Sequence, residues 1–302
     1  MTASRSQSPR ACMIAIKTRD GNGEMAALDF GDPKRPIDIV FVHANGFNAR
    51  TYRTILQPLA RDLRILAPDL RGHGRTLLPL HAAGRRSWRD LCDDLTALLE
   101  TLDGPPATLA GHSMGGTVSL LAASKARVRV RNLALFDPVM WGQVGVIMAH
   151  LPFAAQMTAN RAPIAVAAAR RRSEFESRAA AFKAYKGRGA FKTWPDAMLK
   201  DYVADGFLDR LDGMVELACP PAWEALNYTT HAHNPYAALR RFGGPVSILR
   251  ASRGSTCRVK DIAAFQRSHP NASIEKVEGG HFFPMEKPEA VRLALRAAAG
   301  AT

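Results

Sequence analysis

The sequence predicts an α/β fold in which a mostly parallel, doubly wound sheet is interrupted once by a helical insertion. Three observations lead to this prediction. Short apolar segments alternate with segments of helical periodicity from residue 12 to residue 138, which is the pattern of repeated strand–helix–strand units. The alternation stops at Pro138 and resumes at Val246. One apolar segment ends in a glycine-flanked serine that leads directly into a helix-forming run.

The part of the chain before Pro138 supplies most of the predicted sheet. Residues 12–30 contain two strands around the turn sequence Asp20-Gly21-Asn22-Gly23, which indicates a hairpin at one edge. The other elements follow from β-branched runs, which are typical of strands buried on both faces, and from apolar residues spaced by three and four. They are a strand over 37–42, a helix over 52–63, a strand over 63–68, a helix capped by Ser87, a strand over 107–110, a helix over 117–126 and a strand over 128–136.

Residues 139–242 are predicted to form a helical cap, because they show helical patterning and no convincing strand. The core domain then consists of residues 12–138 and 243–302, and the polar residues 1–11 are expected to form a disordered tail. The elements expected after the cap are a strand over 246–249, a helix over 260–268, a strand over 273–277 and a last helix from Pro288.

Composition narrows the functional classes. The 302 residues are 47% hydrophobic and 23% charged, which is typical of a globular protein. No apolar run approaches the roughly 18–20 residues that span a bilayer, and no apolar segment of a secretory signal follows the N-terminus. Four scattered cysteines indicate neither disulfides nor a zinc site. We therefore expect a cytoplasmic protein without metal or cofactor.

The net charge of +14 has two interpretations. A strongly basic chain can bind nucleic acid or an anionic surface. Here the excess consists mainly of arginines spread along the chain, without a nucleic-acid motif, which favours a solvated basic surface. The expected partner is a small-molecule substrate, with neither nucleic acid nor membrane, and the oligomeric state is left open between monomer and dimer.

The segment Gly111-His112-Ser113-Met114-Gly115 is the strongest local signal for chemistry. Between a strand and a helix, it matches a nucleophile elbow, in which the serine occupies a strained turn above the sheet. Glycines at both ends leave room for the adjoining strand and helix. The N–H of Met114, at the helix start, would face a developing oxyanion. A chance match is the alternative, because small residues are common in turns.

Four landmarks of the chain resemble those of the α/β-hydrolase superfamily and occur in the order in which that family has them. The resemblance covers nearly all of the chain outside the predicted cap and implies the α/β-hydrolase fold with an inserted helical cap. The landmarks are His43-Ala44-Asn45-Gly46, Asp69-Leu70-Arg71-Gly72-His73-Gly74, Gly111-His112-Ser113-Met114-Gly115 and Gly279-Gly280-His281.

The resemblance also implies roles for individual residues. Ser113 would be the nucleophile and His281, after a Gly-Gly turn, the general base, since an unperturbed imidazole titrates at about pH 6.5. The N–H groups of Asn45 and Met114 would form the oxyanion hole. Ala44 stands where the family usually has glycine, which leaves Phe47 as an alternative to Asn45.

The acid of the triad is less directly implied. The family usually supplies it after the seventh strand, where this chain has residues 250–257 and no carboxylate. Some members supply it after the sixth strand, where this chain has Asp137. Asp137 is therefore the expected acid. Asp261, a triad without an acid, and a purely structural Asp-Pro turn at 137 are the alternatives.

A serine, a histidine base and two backbone donors are suited to acyl transfer. The expected function is hydrolysis of a carboxylic ester or related acyl bond of a small, largely apolar substrate through an acyl-enzyme. Epoxide hydrolases and dehalogenases of the superfamily are disfavoured, because they use aspartate in place of Ser113. Carbon–carbon bond hydrolases, lactonases, cofactor-free haloperoxidases and non-catalytic ligand-binding members remain alternatives. The cap arginines 170–172 either bind an acidic substrate group or lie on a solvated helix face.

Overall fold

The computed structural model describes residues 8–151 and 162–301. Their β-strands form one large sheet and one small one. The strands are β1 (Arg10–Thr18), β2 (Gly21–Phe30), β3 (Ile39–Val42), β4 (Ile65–Pro68), β5 (Ala107–His112), β6 (Val130–Phe136), β7 (Glu174–Phe175), β8 (Phe207–Asp209), β9 (Val215–Leu217), β10 (Val246–Ala251) and β11 (Ala272–Val277).

The α-helices and the short 3₁₀ segments lie between these strands. The α-helices are α1 (Arg53–Leu56), α2 (Arg89–Thr101), α3 (Met114–Lys125), α4 (Gln143–His150), α5 (Pro163–Ala169), α6 (Arg178–Tyr185), α7 (Asp196–Asp205), α8 (Pro221–Asn227), α9 (Pro235–Phe242), α10 (Ile262–Ser268), α11 (Phe283–Glu286) and α12 (Pro288–Ala299). The 3₁₀ segments are Ala49–Tyr52, Gln57–Arg61, Arg127–Arg129 and Gly189–Phe191.

The large sheet has eight strands in the order β1-β2-β4-β3-β5-β6-β10-β11. Strand β2 runs antiparallel to both of its neighbours, and the pairs from β4 to β11 are parallel. The predicted mostly parallel α/β sheet with an edge hairpin is therefore confirmed. The carboxyl ends of β3, β5 and β6 meet at one edge, which is where α/β folds place their sites.

Both faces of the sheet are covered, which explains the densely apolar central strands. Val40 and Val42 pack into a core that includes residues of α2 and α3. Ile39 and Phe41 point to the opposite face and pack into a second core with residues of α1 and α12. Because successive side chains of a strand alternate between faces, a strand covered on both sides is apolar at most of its positions.

Two local expectations in the first third of the chain were wrong. The helix expected over 52–63 is a 3₁₀ segment, the short helix α1 and a second 3₁₀ segment. Pro58 lies at the start of the last piece, and proline cannot donate the hydrogen bond that a continuous α-helix needs there. Ser87 does not cap α2: the cap position is Trp88, whose side chain makes no capping hydrogen bond to the helix, and Trp88 is buried.

The N-terminal boundary also differs from the expectation. Strand β1 begins at Arg10, where the main chain pairs opposite Asp29. The Arg10 guanidinium also forms an ion pair with the Asp29 carboxylate, at 2.9 Å. Residues 10 and 11 therefore belong to the sheet rather than to the expected tail. The rest of that expectation, for residues 1–7, lies outside the described residues.

The insertion between β6 and β10 contains three short strands, contrary to the expectation that it has none. Strands β7, β9 and β8 form a small antiparallel sheet of their own. Each has only two or three residues, which is too short to leave an alternating pattern in the sequence. In the described parts of 139–242, no strand enters the large sheet, and β6 pairs directly with β10.

Helix α9 lies within the expected cap range of 139–242 but packs with the core domain. Its buried residues Tyr236, Leu239 and Phe242 belong to the same core as Val118 of α3. This spacing of three places one apolar stripe against the core domain. The helix is therefore a core helix, although it lies before residue 243. None of the helices in 8–151 and 162–301 is long and apolar enough to cross a bilayer.

Candidate active site

Ser113 lies at the sharp turn between β5 and α3. Its backbone has φ 56° and ψ −120°, a conformation that costs energy for any residue with a side chain. A Cβ atom at Gly115 would lie 2.4 Å from the carbonyl oxygens of Val42 and His43, so a larger residue does not fit there. The Ser113 N–H donates to the Phe136 carbonyl oxygen at 2.9 Å. The turn is thus tied to both neighbouring strands.

The structure brings Ser113, His281 and Asp137 together. The Ser113 hydroxyl donates to His281 Nε2 at 2.9 Å. The other ring nitrogen, Nδ1, lies 2.6 Å from Asp137 Oδ2. Ser113 is 8% exposed and Asp137 is fully buried. This arrangement has the geometry of a nucleophile, a base and an acid that orients the base.

Asp137 directly follows β6 in a left-handed conformation, with φ 44°, and its carboxylate is held from several sides. Oδ1 accepts from the Ala251 N–H at 3.0 Å and from the Ser255 hydroxyl. Oδ2 accepts from the Thr256 N–H at 3.0 Å. Burial by itself would raise the pKa of Asp137. The hydrogen bond with His281, the electrostatic interaction with that ring, and the Ser255 and Thr256 donors outweigh burial and lower the pKa of Asp137.

Strand β10 is the seventh strand in the order of the large sheet. The loop after it therefore contributes hydrogen-bond donors to Asp137 rather than the acid of the triad. The sequence shows that residues 250–257 lack a carboxylate, but it gives no sign that Ser255 and Thr256 turn towards Asp137. The alternative acid, Asp261, is the N-cap of α10, where its Oδ1 accepts from the Ala264 N–H at 2.9 Å.

The loop after β3 leaves one backbone donor without a partner next to several that are paired. Ala44 N–H donates to the Tyr52 hydroxyl at 3.2 Å, Gly46 N–H to His73 Nε2 at 3.1 Å and Phe47 N–H to the Ala44 carbonyl at 3.2 Å. Within the described residues, the N–H groups of Asn45 and Met114 donate to no acceptor. Asn45 rather than Phe47 thus has the available N–H.

Two buried histidines support this loop. His43 Nδ1 lies 2.8 Å from the Ala44 carbonyl oxygen, and Nε2 accepts from the Leu70 N–H at 2.9 Å. His73 Nδ1 likewise faces the Arg71 carbonyl oxygen at 3.0 Å, while Nε2 accepts from Gly46. Since carbonyl oxygens only accept, both rings carry their proton on Nδ1. Burial lowers the pKa of His43 to about 4 and that of His73 well below its usual value, so both rings are neutral.

His112 has a role that its motif position did not indicate. Its Nε2 lies 3.0 Å from the main-chain carbonyl oxygen of His281, and its Nδ1 lies 2.8 Å from the Tyr52 hydroxyl. Nε2 therefore donates and Nδ1 accepts. Burial, and next the charge of His281, lower the pKa of His112 to about 3. A chain of hydrogen bonds thus runs from Ala44 through Tyr52 and His112 to His281.

Aromatic rings from the core and the insertion form a cluster beside His281. The Phe282 ring centroid lies 5.2 Å from that of His281 and 5.9 Å from that of Phe47. Trp194, from the insertion, lies 5.2 Å from Phe47 and 6.1 Å from Phe282. The surroundings of the site are therefore largely apolar, which strengthens electrostatic interactions inside it.

Arginines 170–172 have three different environments. Arg171 neither lies free to bind an acidic substrate group nor lies on a solvated helix face. Arg171 Nη1 forms an ion pair with Glu224 Oε2 at 2.5 Å, and Nη2 donates to the Tyr202 hydroxyl at 2.8 Å. Arg172 lies over the Phe175 ring at 4.4 Å, and Arg170 is exposed. Arg171 thus forms a partly buried ion pair inside the insertion. Among the described residues, no group of His, Cys, Asp or Glu side chains is placed to hold a metal ion.

The model of the alpha/beta hydrolase family matches residues 39–294. The chain belongs to the alpha/beta hydrolase family. This assignment agrees with the strand order of the large sheet and confirms the resemblance of the four sequence landmarks.

Curated relatives resemble parts of this hydrolase. One is the dihydrolipoyllysine-residue acetyltransferase component of the acetoin cleaving system of Pseudomonas putida, 40% identical over 105 residues, 35% of this chain and 28% of the relative. Another is the 2-hydroxy-6-oxo-2,4-heptadienoate hydrolase of Pseudomonas putida, 35% identical over 113 residues, 36% of this chain and 38% of the relative. The chain spans about half or less of the length of the first curated relatives it matches.

Solved structures resemble the hydrolase over nearly its whole length. E-2-(acetamidomethylene)succinate hydrolase has a TM-score of 0.76 and 21% identity, covering 97% of this chain and 100% of that one. An esterase of M. tuberculosis has a TM-score of 0.73 and 21% identity, covering 98% and 93%. At these identities the likeness shows the fold alone.

Proposed function

We propose that this alpha/beta hydrolase is a serine hydrolase that cleaves a carboxylic ester or related acyl bond of a small, largely apolar substrate. The observation that carries the proposal is the hydrogen-bonded series of Ser113, His281 and Asp137, with contacts of 2.9 and 2.6 Å. A non-catalytic ligand-binding role is disfavoured, because such a protein has no need of an oriented base hydrogen-bonded to a serine in a strained turn.

The first half of the reaction forms an acyl-enzyme. His281 Nε2 accepts the Ser113 proton while Oγ attacks the substrate carbonyl carbon. The oxyanion accepts hydrogen bonds from the N–H groups of Asn45 and Met114, and loss of one such donor typically costs about 3–4 kcal/mol of barrier. His281 then gives its proton to the leaving group. Asp137 holds the ring with Nδ1 protonated and stabilises the imidazolium.

The second half repeats these steps with water. His281 accepts a proton from a water molecule, which attacks the acyl carbonyl carbon, and the oxyanion again lies between the two N–H groups. Collapse of the tetrahedral species breaks the acyl bond, and His281 returns the proton to Ser113 Oγ. The products are the free acid and the alcohol or other leaving group, so atoms and charge balance without a cofactor.

The aromatic surroundings support an apolar substrate. The Phe282 ring packs against the imidazole of His281, and Phe47 and Trp194 pack against each other beside Phe282. Binding sites of this kind derive most of their affinity from apolar contact. The partly buried cation of Arg171 is already paired with Glu224. An uncharged acyl group therefore fits the site better than a carboxylate substrate.

Carbon–carbon bond hydrolysis on the same triad is the second candidate. It is favoured by similarity to 2-hydroxy-6-oxo-2,4-heptadienoate hydrolase and to the 2-hydroxymuconate semialdehyde hydrolase of Pseudomonas sp., which is 30% identical over 112 residues, 36% of this chain and 37% of the relative. The pairing of Arg171 ranks this candidate below ester hydrolysis.

The test is hydrolysis of short p-nitrophenyl esters by the wild type and by Ser113→Ala, with 2-hydroxy-6-oxo-2,4-heptadienoate assayed in parallel. We expect ester turnover that Ser113→Ala abolishes while circular dichroism stays unchanged. A fluorophosphonate should label Ser113 in the wild type and leave the variant unlabelled. Labelling that persists in Ser113→Ala would reject the nucleophile, and turnover of the dienoate alone would favour the second candidate.

A further inference from the structure

We propose that helix α8 positions one donor of the oxyanion hole, so that Asn227 is a positioning residue for catalysis although it lies in the insertion. The inference rests on the proposed function, in which the Asn45 N–H binds the oxyanion. It goes beyond that function because it makes the insertion part of the catalytic scaffold rather than only a cover.

The side chain of Asn45 is bound at both ends by α8. Its Nδ2 donates to the Glu224 main-chain oxygen at 2.9 Å. Its Oδ1 accepts from Asn227 Nδ2 at 2.8 Å. These contacts join residues separated by 179 and 182 positions in the chain. Because the side chain and the N–H belong to one residue, holding the side chain restricts the direction of the N–H.

The orientation of Asn227 is itself determined. Its Oδ1 accepts from Arg85 Nη1 at 2.8 Å, and its main-chain oxygen accepts from the Trp88 indole at 3.0 Å. A guanidinium only donates, so Oδ1 must face Arg85 and Nδ2 must face Asn45. Arg85 is in turn paired with Asp90 at 2.7 Å. Asn227 is fully buried. A flipped amide would place its NH₂ group against the donor Arg85 and its oxygen against the acceptor Asn45 Oδ1.

Helix α8 also contacts the loops next to Asn45. Gly46 has φ 72°, and a Cβ atom there would lie 2.6 Å from Glu224 Oε1. Glu224 cannot easily move, because its Oε2 is paired with Arg171. The Trp223 indole donates to the Arg71 carbonyl oxygen at 3.1 Å, which attaches α8 to the loop after β4. The helix is therefore tied to both loops at this edge of the sheet.

These contacts complete the support of the loop after β3. On the core side, Tyr52 and His73 accept from the N–H groups of Ala44 and Gly46. On the other side, α8 holds the side chain of Asn45 between them. A donor misplaced by about 1 Å can cost roughly a hundredfold in rate. Loss of the α8 contacts should therefore lower kcat without weakening substrate binding to the same extent.

The test compares Asn227→Ala with the wild type in p-nitrophenyl ester hydrolysis. We expect kcat to fall by about tenfold to a hundredfold, with KM changed less than about twofold, because the donor acts mainly in the transition state. The affinity for a trifluoromethyl ketone, which forms a tetrahedral adduct with the serine, should fall by the same factor as kcat. A general loss of folding would not produce this split.

Asn45→Ala is the second variant, because it removes the side chain, keeps the N–H and leaves α8 intact. It should lose kcat to a similar extent. The double variant Asn45→Ala/Asn227→Ala should lose little more than either single one, since both remove the same contact. The single variant Asn45→Ala keeps the proposal testable if Asn227→Ala does not fold.

Thr230→Val is the matched control. The Thr230 hydroxyl is buried and lies 3.0 Å from the same Arg85 Nη1, but it does not contact Asn45. Its kcat should stay within about twofold of the wild type. An unchanged kcat in both Asn variants, or an equal loss in Thr230→Val, would overturn the inference while the proposed function stands. A wild type that neither turns over esters nor reacts with the fluorophosphonate would reject both.

Discussion

The two halves of the site are supported by different parts of the molecule. The Asp137 carboxylate is held by Ala251, Ser255 and Thr256, all next to β10 in the core. The Asn45 side chain, by contrast, is held by Glu224 and Asn227 of the insertion. The acid of the triad is therefore held by the core domain alone, whereas the proposed oxyanion hole depends on the core and the insertion together.

The largest effect is expected in the core half, from Asp137→Asn. An amide cannot stabilise the imidazolium of His281 and favours the wrong ring tautomer, so kcat should fall by roughly 10⁴. Steady-state kinetics, with circular dichroism to check folding, measures this. A variant that keeps nearly full activity would mean that another group orients His281.

A smaller effect is expected in the shared half, from Gly46→Ala. The new Cβ atom would collide with Glu224 Oε1 and would also strain a left-handed backbone. We expect kcat to fall by about tenfold to a hundredfold, as the Asn45 N–H moves. Gly243→Ala is the control, because Gly243 has a similar φ of 70° and nothing within 4 Å of the added atom. It should lose stability but keep kcat; similar kinetics for the two variants would contradict the comparison.

Tyr52→Phe tests the link between the halves. The Tyr52 hydroxyl accepts from Ala44 next to Asn45, and it lies against His112, which in turn faces the His281 carbonyl. Removing it leaves buried groups unpaired, so the free energy of unfolding should fall by about 1–3 kcal/mol. We expect kcat to fall several-fold. Urea titration measures the free energy of unfolding and steady-state kinetics measures kcat. A variant unchanged in both would show that the hydrogen bonds of Tyr52 contribute to neither stability nor catalysis.

The smallest effect concerns the pH dependence of stability. The folded pKa of Asp137 is lowered below that of the unfolded chain. The ionised Asp137 carboxylate therefore contributes to the free energy of unfolding above its unfolded pKa of about 4, and this contribution is lost as pH falls through the folded pKa. The difference in unfolding free energy between wild type and Asp137→Asn should be larger at pH 7 than at pH 3. A difference that grows on acidification would contradict the lowered pKa.

Much of the fold could be predicted because its signals are local. The buried strands β3 to β6 show as short apolar runs, and the turn at Ser113 shows as glycines on both sides of a serine. The errors fall where local signals are weak. Strands β7 to β9 are too short for periodicity, and α9 has an apolar stripe that does not reveal which domain it packs against.

The amino-acid sequence was sufficient to predict the alternation of strands and helices, the family, and the candidates Ser113, Asp137, His281, Asn45 and Met114, because each candidate lies in a motif or at a strand end. The contacts that hold these residues in place are visible only in the folded molecule. The donors to Asp137 are more than a hundred positions away in the chain, and the α8 contacts to Asn45 are farther still. A hydrogen bond between such distant residues depends on how the two segments pack, and neither segment carries a pattern that records it.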